Sequence, residues 1–248
     1  MRQYPADLHI HSVLSPCADR RMTPRQIVER VREQGTEIIA LTDHNASANV
    51  GAMLGAAPEY GVTVIPGMEV QSREDAHLIC LFPDLDTLAE WQAMVDERLP
   101  RLRNRPEYFG EQWQMDAADQ RLGVEERLLL TGVGLTVTEI FTRVRALGGI
   151  CFPAHLDRPA NSLLSILGFL PPELGIGTAE ISYRVTPAEF CEKFRELDGV
   201  TMISASDAHR PEELTPAKVS LLMEAPTWAE LVQALAGRNG RGVVRVND

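Results

Sequence analysis

Cysteine is scarce and scattered in this chain. Its four, Cys17, Cys80, Cys151 and Cys191, form no CxxC pair, which argues against a zinc-finger or disulfide framework and predicts reduced thiols. Long apolar runs are missing: none approaches the ~18 residues that a membrane-spanning helix needs, so no membrane association is expected. The opening MRQYPADLHI lacks the features of a secretory signal, and a cytoplasmic location is the expectation. Positive charge is in deficit. With 24 Lys and Arg against 35 Asp and Glu, the formal charge is −11, without the electrostatic footprint of a polyanion binder. No long nucleic acid is therefore expected as a partner, although a metal centre would still create a local positive pocket for a small anion. Internal repeats and low-complexity segments are absent as well.

What is present reads as a globular α/β chain. Its 248 residues, 44% of them hydrophobic, suffice for a sizeable core, and α/β barrels of this length are commonly one domain. Short apolar runs alternate with helix-like stretches, the pattern of successive βα units. After an opening strand, TPRQIVERVREQG predicts a helix, with Thr23 as N-cap, Pro24 in the first turn and Gly35 as the stop. EIIALTDH is a buried strand, and a helix over about 47–60 leads to the strand VTVIPGME. HLICLF is a strand and DTLAEWQAMVDERL a helix with apolar residues at helical spacing. Residues 100–135 are charged and broken by Pro and Gly, and predict one or two short helices forming an insertion or lid within a single 1–248 domain. Then come the helix TVTEIFTRVRALGG, the strand GICFPAH, a long loop over 156–177, the strand GTAEIS, the helix TPAEFCEKFREL, the strand VTMISASDAH, the helix TWAELVQALAG and a last strand GVVRV.

Histidine is the scarcity that decides the reading. There are six, and all lie at strand ends or beside carboxylates. In DLHIH, an extended strand points Asp7, His9 and His11 to one face; SDAH repeats the device with Asp207 and His209. His44 ends IIALTDH, Glu69 ends VTVIPGME and His155 ends ICFPAH. Each time a buried apolar run leads into a ligand-type residue, where parallel α/β folds collect their chemistry. His77 instead begins its strand, and a hairpin through the polar residues 73–76 would bring it back beside Glu69. A single histidine at a strand end is more often a hydrogen-bonded structural residue than a ligand. Imidazole and carboxylate are nevertheless the usual ligands of Zn²⁺, Mn²⁺ or Fe²⁺, and so many strand ends offering them predict one clustered metal site.

With those segments in order, the sequence resembles the PHP family, the polymerase and histidinol phosphatase phosphoesterases. DLHIHS, LTDHN, PGMEV, HLICLF, FPAHLDRP and SASDAH carry the resemblance, which spans nearly the whole chain. It implies a distorted (β/α)7 TIM-like barrel whose strand ends hold two or three divalent ions, Zn, Mn or Fe. Residue by residue, it implies His9, His11, His44, Glu69, His77, His155, Asp207 and His209 as metal ligands, with Glu69 bridging two ions. A ninth ligand is expected in the loop SPCAD: Asp19, with Cys17 as the alternative. Asp7 and Asp43 are expected to orient the ligand histidines. Where many relatives have AHP this chain has AHLDRP, so Arg158 becomes a candidate phosphate clamp, because a guanidinium matches two phosphate oxygens; Arg184 is a second.

The activity implied is hydrolysis of a small phosphoester, a nucleotide among the candidates, by a metal-activated hydroxide near Glu69, with Asp207, His209 or a metal-bound water as proton donor. One alternative is a metal-dependent amidohydrolase, disfavoured because the only lysines, Lys193 and Lys218, lie off the strand ends where a carbamylated ligand would sit. Another is a metal-binding module without activity. Tyr108, Phe109 and Trp113 are candidates for stacking on a base or for packing the insertion onto the barrel.

Overall fold

Thr23 and Pro24 open the first helix as their chemistry predicts, but the capping oxygen comes from elsewhere in the chain. Thr23 is extended and makes no side-chain cap of its own; the backbone N–H of Arg25 donates to Asp119 Oδ1 at 3.0 Å, so an acid far along the chain satisfies the free helix start. The computed structural model describes residues 1–194, 197 and 199–246. In chain order these form β1 (Arg2–Ile10), α1 (Pro24–Glu33), β2 (Ile38–Leu41), α2 (Val50–Ala56), β3 (Thr63–Gln71), β4 (His77–Leu81) and α3 (Leu85–Arg98). They continue with α4 (Pro106–Phe109), β5 (Trp113–Met115), β6 (Arg121–Val124), α5 (Val137–Ala146), β7 (Ile150–Pro153), α6 (Leu163–Leu167) and β8 (Thr178–Ser182). Last come α7 (Pro187–Lys193), β9 (Thr201–Ala205), β10 (Val219–Met223), α8 (Trp228–Leu235) and β11 (Gly242–Arg245). The helix expected over TPAEFCEKFREL is present as α7, begun by a reciprocal Thr186–Glu189 cap; residues 195 and 196 of that expectation lie outside the described residues.

The sheet order is β11-β10-β1-β2-β3-β4-β7, with β8 and β9 as a separate pair. β1, β2 and β3 run parallel. β4 is antiparallel to both β3 and β7, so β7 again runs with β3, and β8 is parallel to β9. Backbone bonds at the strand ends bring the pair into the ring. Leu156 N–H donates to Glu180 C=O at 2.8 Å, and Asp207 N–H to His9 C=O at 3.0 Å. β1 thus serves two neighbours: its first half pairs with β10 through Arg2–Ala6, and its end meets the segment after β9 at the parallel bridge Ile10–Ala208. This is the expected distorted seven-strand barrel, β1-β2-β3-β4-β7-β8-β9, with one strand reversed and the two seams beside the β8–β9 pair closed only near the strand ends.

Alternation sorts the side chains into two cores. Ile38 and Ala40, Ile65, Ile79 and Leu81, and Phe152 and Ala154 join Ala6 and Leu8 in one buried cluster. Ile39, Leu41, Met68, Leu78 and Cys80 face the helices with Trp91, Ile140 and Phe141. Opposite-facing neighbours are what a strand wrapped by helices requires. Glu69 and His77 fall in step with Ile65 and Ile79, so the parity that fills the lower barrel aims these two groups into its upper end.

Residues 100–135 differ from the expectation of a helical insertion. They hold one four-residue helix, α4, and the two-stranded hairpin β5–β6. Gly110 ends α4 at φ 101°, and a Cβ there would meet Pro16 O at 1.9 Å, so the chain turns against the 12–16 loop where only glycine fits. Trp113 N–H donates to Val13 C=O at 3.0 Å, pinning β5 to that same loop. Arg20 and Arg121 lie over the Trp113 ring, whereas Tyr108 is 74% exposed. The segment buttresses the site loop from outside. No described helix is long and apolar enough to cross a membrane.

Candidate metal centre

A break in β1 aims the first two histidines. Up to Leu8, even-numbered residues face the inner core; the β1–β2 register then shifts between Asp7 and Ile10, Ile10 joins the outer core, and His9 and His11 turn inward. Bulges re-aim side chains in this way. Asp7 is therefore not on the histidines' face, as the i, i+2, i+4 spacing predicted. Its carboxylate accepts from the backbone N–H of His9 at 3.3 Å and of Ser206 at 3.1 Å and reaches no imidazole; burial pushes its pKa up to about 6. His155 (φ 29°), Asp207 (φ 50°) and Asn45 (φ 51°) lie in the left-handed region, where a side chain is held at some cost by its surroundings. They mark the ends of three strands at one place.

All six histidines converge there on Glu69 and Asp207. Glu69 Oε1 lies 2.9 Å from His77 Nδ1, 3.3 Å from His155 Nε2 and 3.4 Å from His9 Nε2. Its Oε2 lies 2.8 Å from His44 Nδ1 and 3.4 Å from His11 Nε2. Asp207 Oδ1 is 3.1 Å from His9 Nε2, 3.0 Å from His11 Nε2 and 3.5 Å from His209 Nδ1. The hairpin between β3 and β4 sets Gln71 opposite His77 and so returns His77 to Glu69.

Surrounding groups decide which nitrogens are free. His9 Nδ1 lies 3.1 and 3.0 Å from the two oxygens of Glu180, a fully buried carboxylate in β8 that also accepts the His155 N–H at 3.1 Å. A carboxylate accepts only, so Nδ1 carries hydrogen and Nε2 turns towards the cluster. His11 Nδ1 lies 2.9 Å from Ser15 Oγ, whose own hydrogen goes to Asp43 Oδ1 at 2.6 Å; His11 must donate too, leaving Nε2 with its lone pair. The two Nε2 atoms stand 3.0 Å apart, crowded by carboxylate oxygens. Such a set of electron-pair donors needs positive charge in its midst. Burial opposes charge on His9, but Glu180, Asp207 and Glu69 together outweigh it and hold its pKa well above the ordinary value. Burial also opposes charge on Glu69, and the surrounding histidines His77, His44 and His9 keep it well below the carboxylate range. Burial, with His209 and His44 nearby, holds His11 low instead.

The donor set fits divalent cations. His44 Nδ1, Glu69 Oε2, His155 Nδ1 and Asp207 Oδ1 are buried with no hydrogen-bond partner among the described residues, which is costly unless something else satisfies them. Three overlapping triads, His9–His11–Glu69, His11–His44–His209 and His44–Glu69–His77, each hold donor atoms within 4.8 Å of one another. Shared corners at Glu69, His11 and His44 are the arrangement of a polynuclear site with imidazole and carboxylate ligands.

Two sequence expectations diverge from this geometry. Asp19 is tied to the site only by its backbone N–H, which donates to His209 C=O at 2.8 Å. Its carboxylate is forked onto Arg21, with Nε at 3.0 Å and Nη2 at 2.9 Å, and those bonds hold its pKa down to about 2. The arginine two residues on captures it locally before it reaches the histidines. Cys17, the alternative, joins none of the triads; crowding and the charges of Glu69, Asp207 and Asp43 push its thiol up. Changing Asp19 to Asn is accordingly expected to leave bound metal within about 20% of the parent by elemental analysis, and a large loss would return it to the ligand set. Arg158 stands at the mouth, its Nη1 2.6 Å from Asp207 Oδ2; Arg184 is exposed and lines no part of the cavity over the cluster. That cavity, about 220 Å³, is walled by the cluster and residues 158–161, with nothing from 100–135, so the insertion is no lid over it.

Sequence reading missed Glu180 and the two serines. Its one signal was an acid inside the apolar run TAEIS. Asp43 does orient a histidine as expected, but through Ser15, and it also accepts from Ser12 N–H at 2.7 Å and Ser12 Oγ at 2.6 Å.

The family model for the PHP domain matches residues 7–121. The match runs from β1 to the first residue of β6, a little under half of the chain. Among curated relatives, a 5'-3' exoribonuclease of Haemophilus influenzae is 36% identical over 100 residues, covering 37% of this chain and 35% of the relative. A 3',5'-nucleoside bisphosphate phosphatase of Chromobacterium violaceum is 31% identical over 78 residues, 30% of this chain and 26% of the relative. The chain thus matches about a third or less of the length of each. Among solved structures, Endonuclease Q in complex with a 27-mer duplex aligns over 97% of this chain and 58% of its own, with TM-score 0.68 and 20% identity. That likeness is one of fold. Because that neighbour was solved on a duplex, net charge alone does not exclude long nucleic acid for a chain of this fold.

Proposed function

We propose that this chain is a metal-dependent phosphoesterase acting on a small nucleotide-type substrate. The observation that carries the reading is the single carboxylate, Glu69, within 3.4 Å of five imidazoles, in a chain whose partial relatives include proteins named for phosphoester substrates. His9, His11, His44, Glu69, His77, His155, Asp207 and His209 would hold two or three divalent ions. Bound there, such ions supply Lewis acidity towards phosphate oxygens and a water acidic enough to ionise near neutral pH.

The chain's own groups do the rest. Glu180 and Ser15 fix the tautomers of His9 and His11, so that ligand nitrogens need no rearrangement. Arg158 spans the mouth and presents a planar fork to a phosphate that displaces it from Asp207. His209, whose side chain is 21% exposed, donates from Nδ1 to the carbonyl of Asp207 at 2.9 Å and is the accessible proton carrier for a leaving oxygen. Asp207, nearly buried and engaged by Arg158, is less free to do so. The amidohydrolase alternative finds no support at the cavity, which neither lysine lines.

The test is elemental analysis of the purified protein, followed by hydrolysis of nucleoside monophosphates and bisphosphates with and without chelator. Two to three metals per chain and turnover that chelation abolishes at least a hundredfold are expected. A fully loaded protein that cleaves no phosphoester would overturn the assignment.

A further inference from the structure

Beside the cluster lies a second, larger cavity that the hydrolytic reading does not use. It occupies about 450 Å³ between the chain after β7 and the chain after β8, and Arg158 lines both cavities. Leu164, Val185, Phe190 and Phe194 contribute its apolar lining. The two phenyl rings meet at 4.9 Å, tilted by 44°; Phe190 is buried and Phe194 half-buried. The wall shared with the cluster is held firm. Asp157 accepts from Ser182 N–H at 2.7 Å and Ser182 Oγ at 2.6 Å, and Arg158 C=O accepts from Ser162 Oγ at 2.8 Å. Lys193, exposed on the rim, makes no ion pair among the described residues.

We propose that this groove seats the heteroaromatic base of a nucleotide whose phosphate lies against the histidine cluster, with Arg158 between the two. This rests on the phosphoesterase reading and names the half of the substrate that the metal centre leaves unspecified. Three observations select the occupant. The two cavities adjoin at Arg158, which lines both, so a ligand that displaces its guanidinium from Asp207 would reach from one into the other. The volume falls within the ~300–1,000 Å³ typical of small-molecule sites. The lining is aromatic and aliphatic on its faces but charged along its edge, which suits a ring that is apolar on its faces and polar at its rim. A polyol gains nothing from such a floor, and an acyl chain nothing from such an edge.

Calorimetric titration with hydrolysis-resistant phosphonate analogues of AMP and of 1-O-methyl-β-ribose 5-phosphate tests this, because a methoxy group replaces the base on the same fixed anomer. The parent is expected to bind the AMP analogue at least tenfold tighter. Ser165→Trp fills the groove from its exposed rim while keeping the backbone N–H bond to Ser162 Oγ, and should remove that preference; Phe194→Ala should reduce it severalfold. Equal affinities in the parent, no binding of either analogue, or a preference that survives Ser165→Trp would overturn the proposal. Binding is read without turnover, so a base preference in a protein that hydrolyses nothing keeps the groove and discards the hydrolase.

Discussion

Glu69→Gln is expected to lower phosphoester hydrolysis by at least about a thousandfold, close to 4 kcal/mol of lost transition-state stabilisation. The side chain keeps its shape, so the barrel should fold with unchanged circular dichroism. The buried negative charge is lost, however, and an amide N–H₂ replaces an acceptor where five imidazoles converge within 3.4 Å. Neither change would suit a residue that is to hold metal through both oxygens, since each must then offer a lone pair. Metal per chain should fall by at least one equivalent in elemental analysis. A variant with parental metal content and parental rate would remove Glu69 from the centre of the chemistry.

Glu180→Gln should weaken metal binding by about 10- to 100-fold, the range found when a group orienting a ligand histidine is changed. Both Glu180 oxygens face hydrogens, those of His9 Nδ1 and the His155 N–H. A glutamine must turn its N–H₂ towards one of these donors, and it no longer balances a cation on the far side of the His9 ring. Competition with a chelating dye measures the change directly. Unaltered affinity would reduce Glu180 to a buried structural acid.

These two residues also show what sequence can and cannot disclose. Glu69 was legible because a buried carboxylate at the end of the apolar run VTVIPGM has few structural duties, although β3 itself runs on to Gln71, and because imidazoles are rare in this chain. His77 was legible through turn chemistry, which reverses the chain within a few residues. Glu180 was hidden: an acid in mid-strand carries no periodic signal, and its partner is 171 residues away. The shift in β1 was hidden for a related reason, since a one-residue slip leaves composition untouched while reversing every side chain beyond it. Asp19 stands apart from the histidines because its carboxylate is held by Arg21, a short-range partner that competes with a distant site. The hairpin β5–β6 was read as helix because its strands are too short to establish an alternation, and β10 was passed over in the mixed run KVSLLMEAP.

The reversal of β4 reaches further than the placement of His77. A strand that descends from the histidine-bearing rim delivers the chain to the barrel's base, and β7 must start from that same base. The chain therefore climbs through α3 and comes down again through α5, and whatever joins those helices has to emerge at the rim. The buttress against the 12–16 loop is thus a topological by-product: one strand laid head to tail obliges the polypeptide to leave material beside the histidine cluster, where later change in that segment can reshape access while the cluster stays fixed.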